Sequence, residues 1–317
     1  MKKKNDPAQA TVYAAIDIGS NAARLLIKKR NNKTNMFDKC LLLRVPLRLG
    51  FDVFSIGKLS AKKEENLTRL MKTYRQLMKI YDVECFRACA TSAMRDALNG
   101  PDIIKSIKKK TGIQIEIISG QEEAQIVYSN HMECMEDRNG NYMYVDVGGG
   151  STEINLLISG KLVCSRSFNI GTVRILSGKV DDGAWIRLKN EITELTKEYQ
   201  NINIIGSGGN INKLYRLTEK KNKKKKRLPI SSLRMLYDEL APLTPEERCE
   251  QFDMKPDRAD VIIPAAKIFL TIAETINASY IHVPVIGLAD GIIDMLYAKN
   301  QASAPDPEEP KKKCKDK

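Results

Sequence analysis

The chain has 317 residues, 42% of them hydrophobic, which is enough for about two domains with real cores and excludes a disordered or fibrous protein. Its formal net charge of +13 is concentrated in Lys2–Lys4, in the run KKNKKKKR at 220–227 and in Lys311–Lys317. No apolar run approaches the roughly 18 residues needed to span a bilayer, and MKKKNDPAQA holds no apolar signal stretch, so a cytoplasmic protein without membrane contact is expected.

Strand-like and helix-like segments alternate from residue 11 to about 300, the pattern of an α/β protein. TVYAAIDIG and ARLLIKKR predict two strands around a tight turn. Residues 58–82 predict a helix, with Leu67, Leu70, Met71, Tyr74, Leu77, Met78 and Tyr81 at helical spacing. VECFRACA returns as a strand, PDIIKSIKKKTG is punctuated as a helix by its proline and glycine, and IQIEIIS is again a strand. Cys85 and Cys89 would share a face of their strand. The seven cysteines form no CxxC pair and suit reduced thiols rather than a disulfide framework or a zinc site. With His131 and His282 the only histidines, acid–base chemistry falls to carboxylates.

An internal repetition organises the rest. Asp17-Ile-Gly-Ser-Asn follows one apolar strand, and Asp146-Val-Gly-Gly-Gly-Ser-Thr follows another at 142–145. Each is followed by a second apolar strand, 24–28 and 154–158, and the aspartates stand 146 − 17 = 129 residues apart. That spacing indicates duplicated domains. A third turn, Gly206-Ser-Gly-Gly, follows Ile204-Ile205 and precedes the helical INKLYRL. Glycine lets the backbone approach an anion with successive N–H groups, and a following helix adds its N-terminal donors. The signature GxxxxGK[ST] is absent. An aspartate at the end of each strand suits magnesium, which takes one or two protein carboxylates and fills its octahedron with phosphate and water. A turn aspartate accepting backbone bonds is the plainer alternative for Asp17.

AAIDIGSNAARLLI, ATSAMRDALN, EIISGQEEAQIVY, YVDVGGGSTEI, IGSGGNINKL and RADVIIPA, in that order, resemble the exopolyphosphatase / guanosine pentaphosphate phosphohydrolase family over residues 12–298. The resemblance implies two ribonuclease-H-like domains, as in actin, sugar kinases and heat-shock ATPases, with the active site in the cleft between them. Residues 1–127 with 287–300 would form the first domain and 128–286 the second, with a disordered basic tail at 301–317. The chain resembles the short, two-domain form of the family.

Ser119 and Glu122 have the spacing of a capping box, which leaves Glu123 free. By resemblance Glu123 is the general base for the attacking water, Arg95 binds phosphate and Glu153 lies near the metal and reacting phosphate. Arg95 could instead pair with Asp96 or Glu123, and Glu153 could face solvent. The resemblance and the loops together assign phosphate binding to Gly19, Ser20, Asn21, Arg24, Gly148, Gly149, Gly150, Ser151, Gly208 and Gly209. Asp17 and Asp146 are the expected ligands of Mg2+, while a potassium requirement and a homodimer are left open. Ala22, Asn210 and Ala265 depart from the family pattern, the first two bearing on substrate preference and the third on helix packing.

The expected activity is magnesium-dependent removal of the terminal phosphate of polyphosphate, with guanosine pentaphosphate as the close alternative substrate. A kinase lacks an acceptor-site signature, and a regulator without turnover is the reading from another class. A nucleic-acid partner is disfavoured, because no recognised module is present and aromatics are only 6%. Lys221 and Lys223–Lys226 would form a mobile polyanion-binding arm, leaving its helix at the end away from the phosphate loop, unless the run merely solubilises.

Overall fold

The structure is a computed structural model; it describes residues 11–302 apart from 32, 33, 35, 130–136, 138, 285 and 286. The first half contains β1 (Val12–Ile18), β2 (Ala23–Asn31), β3 (Met36–Val45), α1 (Leu49–Ile56) and α2 (Ala61–Ile80). It continues through β4 (Cys85–Ala90), α3 (Ser92–Asp96), α4 (Gly100–Thr111), β5 (Ile115–Ile117) and α5 (Gly120–Ser129). The second half opens with β6 (Tyr142–Val147), β7 (Thr152–Ile158), β8 (Lys161–Phe168), α6 (Thr172–Leu176) and α7 (Asp182–Thr196). After β9 (Asn203–Ser207) and α8 (Gly208–Leu217) come β10 (Arg227–Pro229), α9 (Ile230–Leu240), α10 (Pro245–Phe252) and α11 (Pro256–Ala259). The last elements are α12 (Ile262–Thr275), β11 (Tyr280–His282) and α13 (Leu288–Ala302).

Two mixed sheets result, ordered β3-β2-β1-β4-β5 and β10-β11-β9-β6-β7-β8. In each, three antiparallel strands are followed by two parallel ones: β1 pairs with β2 antiparallel and with β4 parallel, as β6 does with β7 and β9. The repetition read in the sequence is therefore a repetition of topology, and the fold is the expected doubled α/β arrangement. β10 is an addition, an antiparallel edge strand on β11.

Local chemistry explains the helices. In α2, Ser60 caps the start by accepting from Lys63 N, and Leu67, Met71, Tyr74 and Met78 form one buried stripe. The outer face of the first sheet is covered by α1, α2 and α4, and that of the second by α7, α8, α9 and α12. Between the sheets, α5 and α13 contribute Ile126, Val127, Leu288, Ile292 and Ile293 to a third core with Tyr13, Ala15, Tyr144 and Ile205. The helix α13 runs through residue 302, so 301 and 302 are helical rather than part of a tail, and 303–317 lie outside the described residues, as does His131. No helix of the described residues is long and apolar enough to cross a membrane.

Candidate active site

The two glycine hairpins are built alike. Gly19 N donates to Ala22 O at 3.1 Å, and Gly148 N donates to Ser151 O at 2.9 Å, the same closing bond 129 residues on. Register then sets each aspartate opposite the residue seven positions later, Asp17 against Arg24 and Asp146 against Glu153. The consequences differ. Arg24 Nη1 donates to Asp17 Oδ2 at 2.5 Å, so Asp17 is neutralised in its own hairpin. Asp146 faces a second carboxylate instead.

Glu153 is buried, which removes the solvent-facing alternative; its Oε1 accepts from Ser167 Oγ at 2.9 Å. The first turn of α5 packs on the same hairpin, held by Asn155 Nδ2 donating to Ala124 O at 2.9 Å. This brings Glu123 to the carboxylates. Glu123 is 7% exposed, and its Oε2 has no hydrogen-bond partner. Arg95 Nη1 stands 3.9 Å from that oxygen and donates to Ile118 O at 2.8 Å. Arg95 does not pair with Asp96, whose carboxylate accepts from Arg174 at 2.6 Å.

The capping box is only half formed. Glu122 N donates to Ser119 Oγ at 3.0 Å, but the Glu122 carboxylate is held by Arg87 at 2.7 Å rather than reaching back to the cap. The neighbouring Arg87 outcompetes a single backbone N–H because a charged donor forms the stronger bond.

Burial with poor neutralisation shifts the cluster upward. Burial raises Asp146 to about 6, Arg24 opposing and Asp17 adding to the rise. Burial and then Asp146 raise Glu153 to about 7. Burial, then Glu153, Asp146 and Asp17, hold Glu123 well above the usual carboxylate range, and Arg95 offsets only part. The cluster lacks positive charge. Among the described residues no three acidic, histidine or cysteine side chains form a complete metal cage. Magnesium asks for fewer protein ligands, so the buried Asp146 carboxylate, set opposite Glu153 rather than an arginine, fits such an ion with phosphate and water completing its shell.

The loops of the two halves meet. A Cβ on Gly149 would lie 2.9 Å from Ser20 Cβ and 3.2 Å from Asn21 N, so only glycine permits this approach. Carbonyls of the loops are held from behind: Arg48 N and Gly50 N donate to Asn21 O and Ser20 O, and Thr172 N and Val173 N to Gly148 O and Gly149 O. Ser20 Oγ shares a hydrogen bond with Ser92 Oγ at 2.8 Å, and Asn21 Nδ2 donates to Asp257 O at 3.1 Å. Gly150 stands beside Ser92, and Ser151 is buried. At the third turn Gly208 has φ +92, and a Cβ there would meet Asp146 Oδ1 at 2.7 Å. Gly209 stands against the Arg258 guanidinium.

Arg258 is a site residue that sequence reasoning quoted in RADVIIPA and left without a role. Its Nη1 donates to Asn210 Oδ1 at 2.7 Å, which gives Asn210 a purpose, and no carboxylate is paired with it among the described residues. Burial, then Arg44 and Arg24, lower its pKa to about 9, so it stays charged at neutral pH beside other cations. Only the fold assembles Arg24, Arg44 and Arg258, whose sequence positions span both halves. A cavity of about 530 Å³ lined by Tyr199, Asn201, Asn277 and Tyr280 lies at the amino ends of β9 and β11, the end of the sheet away from this chemistry.

The expected mobile arm is instead an ordered turn, because Asn222 and Arg227 exchange backbone bonds at 3.0 Å and continue into β10. Lys221 is not free for a ligand: its ammonium donates to Tyr215 O and Arg216 O at the end of α8. Lys223–Lys226 are exposed on the turn.

The sequence pattern of the Ppx/GppA phosphatase family matches residues 31–300. The bifunctional 3-dehydroquinate synthase/phosphatase of Fusobacterium nucleatum is 30% identical over 296 residues, covering 85% of this chain and 44% of that protein. The guanosine-5'-triphosphate,3'-diphosphate pyrophosphatase of Aeromonas salmonicida is 24% identical, covering 91% and 60%. Exopolyphosphatase 2 of Mycobacterium tuberculosis is 31% identical over 173 residues, covering 52% and 54%. The chain thus spans less than two thirds of the length of these relatives. The crystal structure of the Aquifex aeolicus member of the Ppx/GppA family superposes with a TM-score of 0.72 at 25% identity, covering 93% of this chain and all of that one.

Proposed function

Because the chain belongs to the Ppx/GppA phosphatase family, whose members are hydrolases, we propose that it acts as an exopolyphosphatase on the terminal phosphoanhydride of inorganic polyphosphate. The observation that carries the reading is the buried Glu123 oxygen, without a hydrogen bond and ion-paired to Arg95 at 3.9 Å, beside the Asp146–Glu153 pair. A carboxylate is the group that can take a proton from the attacking water, and Arg95 at 3.9 Å favours its ionised form against the burial that opposes it. Glu123 orients and deprotonates the attacking water. Arg95 and Arg258 hold the equatorial oxygens of the reacting phosphate by their planar forks. The Ser20, Asn21, Gly149 and Gly150 amides bind the phosphates that follow, while Gly19 N and Gly148 N close the hairpins. Asp146, with Asp17 oriented by Arg24, would hold magnesium, which would supply neutralisation of the phosphate charge. Such catalysis is mostly positioning and electrostatics.

Guanosine pentaphosphate presents the same terminal anhydride, and the Aeromonas relative carries that substrate in its name. One assay decides: phosphate release with magnesium from long polyphosphate, tripolyphosphate, guanosine pentaphosphate and ATP. Release from polyphosphate at the highest kcat/KM is the expected result. Faster release from guanosine pentaphosphate would reassign the substrate, and no release from any of the four would leave a binding protein without turnover.

A further inference from the structure

The densest charge in the described chain has no part in the cleft chemistry. Asn222 Oδ1 accepts from Lys225 N at 2.9 Å inside the turn closed by Asn222 and Arg227, so Lys223–Lys226 are carried on a fixed backbone. Lys221 pins the base of the turn to α8 and lies over the Tyr215 ring. Lys226 has φ +50, a left-handed position occupied by lysine where glycine would be easier. Among the described residues no carboxylate is paired with Lys223, Lys224, Lys225 or Lys226. Four like charges held together without counter-charge repel one another, and a polyanion relieves that repulsion.

The position of the turn matters more than its charge. Arg227 pairs with His282, which pairs in parallel with Ile205, and Val283 N donates to Lys226 O just beyond β11. The turn therefore stands at the carboxyl end of the second sheet, the end where the glycine turns after β6 and β9 also lie. From β10 across β11 and β9 to β6 is three strand spacings, roughly 14 Å at 4.7–4.9 Å each. A triphosphate seated at the glycine loops is shorter than that span; a long chain is not. Arg258 stands against Gly209 at the start of α8, and Arg216 and Lys213 lie further along that helix, the Lys213 ammonium donating to Phe252 O and Asp253 O. Burial, then repulsion from Arg216 and Arg258, lowers Lys213, a sign of how close these cations are.

We propose that Lys223–Lys226 form an outer subsite that holds the distal phosphates of a long linear polyphosphate whose terminal phosphate occupies the cleft. The inference rests on the polyphosphate reading above. Lysine suits the task, because an ammonium is a compact point charge that needs no fixed geometry along a uniform, repeating anion.

The test is direct binding of long-chain polyphosphate and of tripolyphosphate across a series of salt concentrations, in wild type and in K223S/K224S/K225S/K226S, with Lys221 retained. In the variant, long-chain affinity at low salt should fall about tenfold or more. Its log–log salt slope should flatten by up to about 3, taking about 0.7 per cation as for single-stranded nucleic acids. Tripolyphosphate affinity should not change. The double variant K223S/K224S should give about half the slope change. Equal weakening of both ligands would overturn the subsite, showing an effect through the cleft or the fold. No change with either ligand would overturn it too. Wild type that binds long chains through these lysines yet releases no phosphate would keep the subsite and remove the hydrolase reading.

Discussion

Glu122 and Glu123 are neighbours in sequence, yet α5 hands one to Arg87 and turns the other into the carboxylate cluster. Glu123→Gln should lower the rate of phosphate release about 10²–10⁴-fold, the usual cost of losing general-base assistance, while polyphosphate affinity is kept. Glu122→Gln should retain most activity, because the amide oxygen can still accept from Arg87. An active Glu123→Gln enzyme in a phosphate-release assay would remove the base. The raised pKa values also give a stability signature. Unfolded carboxylates titrate near 4, whereas folded Asp146 and Glu153 titrate at about 6 and about 7. Between those values the folded chain binds more protons, so these groups favour folding fully at low pH and lose that contribution as pH rises through about 7. Without metal, thermal melts should therefore show this stabilisation fading from about pH 4 to about pH 7, less so in an Asp146→Asn variant. Magnesium should restore stability at pH 8 in wild type, since it binds the ionised folded cluster. A melting temperature at pH 8 indifferent to magnesium would count against the metal site.

At the scale of the element, the paired hairpins are one device used twice with opposite electrostatics. Position seven after the aspartate is Arg24 in one and Glu153 in the other, so the first hairpin is self-neutralised and the second is left seeking a cation. Asp146→Asn should accordingly raise the magnesium concentration for half-maximal activity by at least the roughly 10–100-fold that loss of an outer-shell partner costs. Asp17→Asn should shift it less and mainly release Arg24. Magnesium titrations of activity in both variants decide this, and superimposable curves for wild type and Asp146→Asn would take that residue out of the site. These hairpins could be read from sequence because strands buried on both faces are continuous apolar runs with glycine turns between them. β3 could not: MFDKCLLLRV is an edge strand with much of its surface exposed, and it shows neither alternation nor a solid apolar run. The return of the lysine run to the sheet depends on the three-residue β10, too short to carry a period. Glu123, Arg95, Asp146 and Glu153 were nameable because each sits in a motif; Arg258 also opens one, RADVIIPA, but its place against Gly209 and Asn210, like the entry of Arg44, comes from tertiary packing.

Whole-molecule geometry places a ring of charge pairs across the junction of the two halves. Arg44 meets Asp257 at 2.5 Å, Arg48 meets Asp260, and Arg174 of α6 meets Asp96 of α3 at 2.6 Å. Asn21 adds its bond to the Asp257 carbonyl. All four contacts join residues far apart in sequence and flank the place where the loops touch. Arg44 and Asp257 also border the arginine cluster, so changing them would alter the site itself. Arg48–Asp260 and Arg174–Asp96 lie outside that cluster, and replacing the two aspartates leaves in place the Arg174 Nε bond to Gly150 O at 2.7 Å. Partly buried pairs of this kind contribute about 1 kcal/mol each, so the double variant Asp96→Asn/Asp260→Asn should favour an open arrangement by about 1–2 kcal/mol. At tenfold per 1.4 kcal/mol that is a shift of up to roughly 30-fold in the closed-to-open ratio. The expected results are a larger radius of gyration in solution scattering without ligand, recovered on adding polyphosphate, and a KM several-fold higher with kcat nearly unchanged. Such a split follows because substrate binding would then have to supply the closure that the ion pairs now supply, while the assembled site stays the same. Unchanged scattering together with unchanged KM would show that the loops, rather than the surrounding charges, hold the halves together.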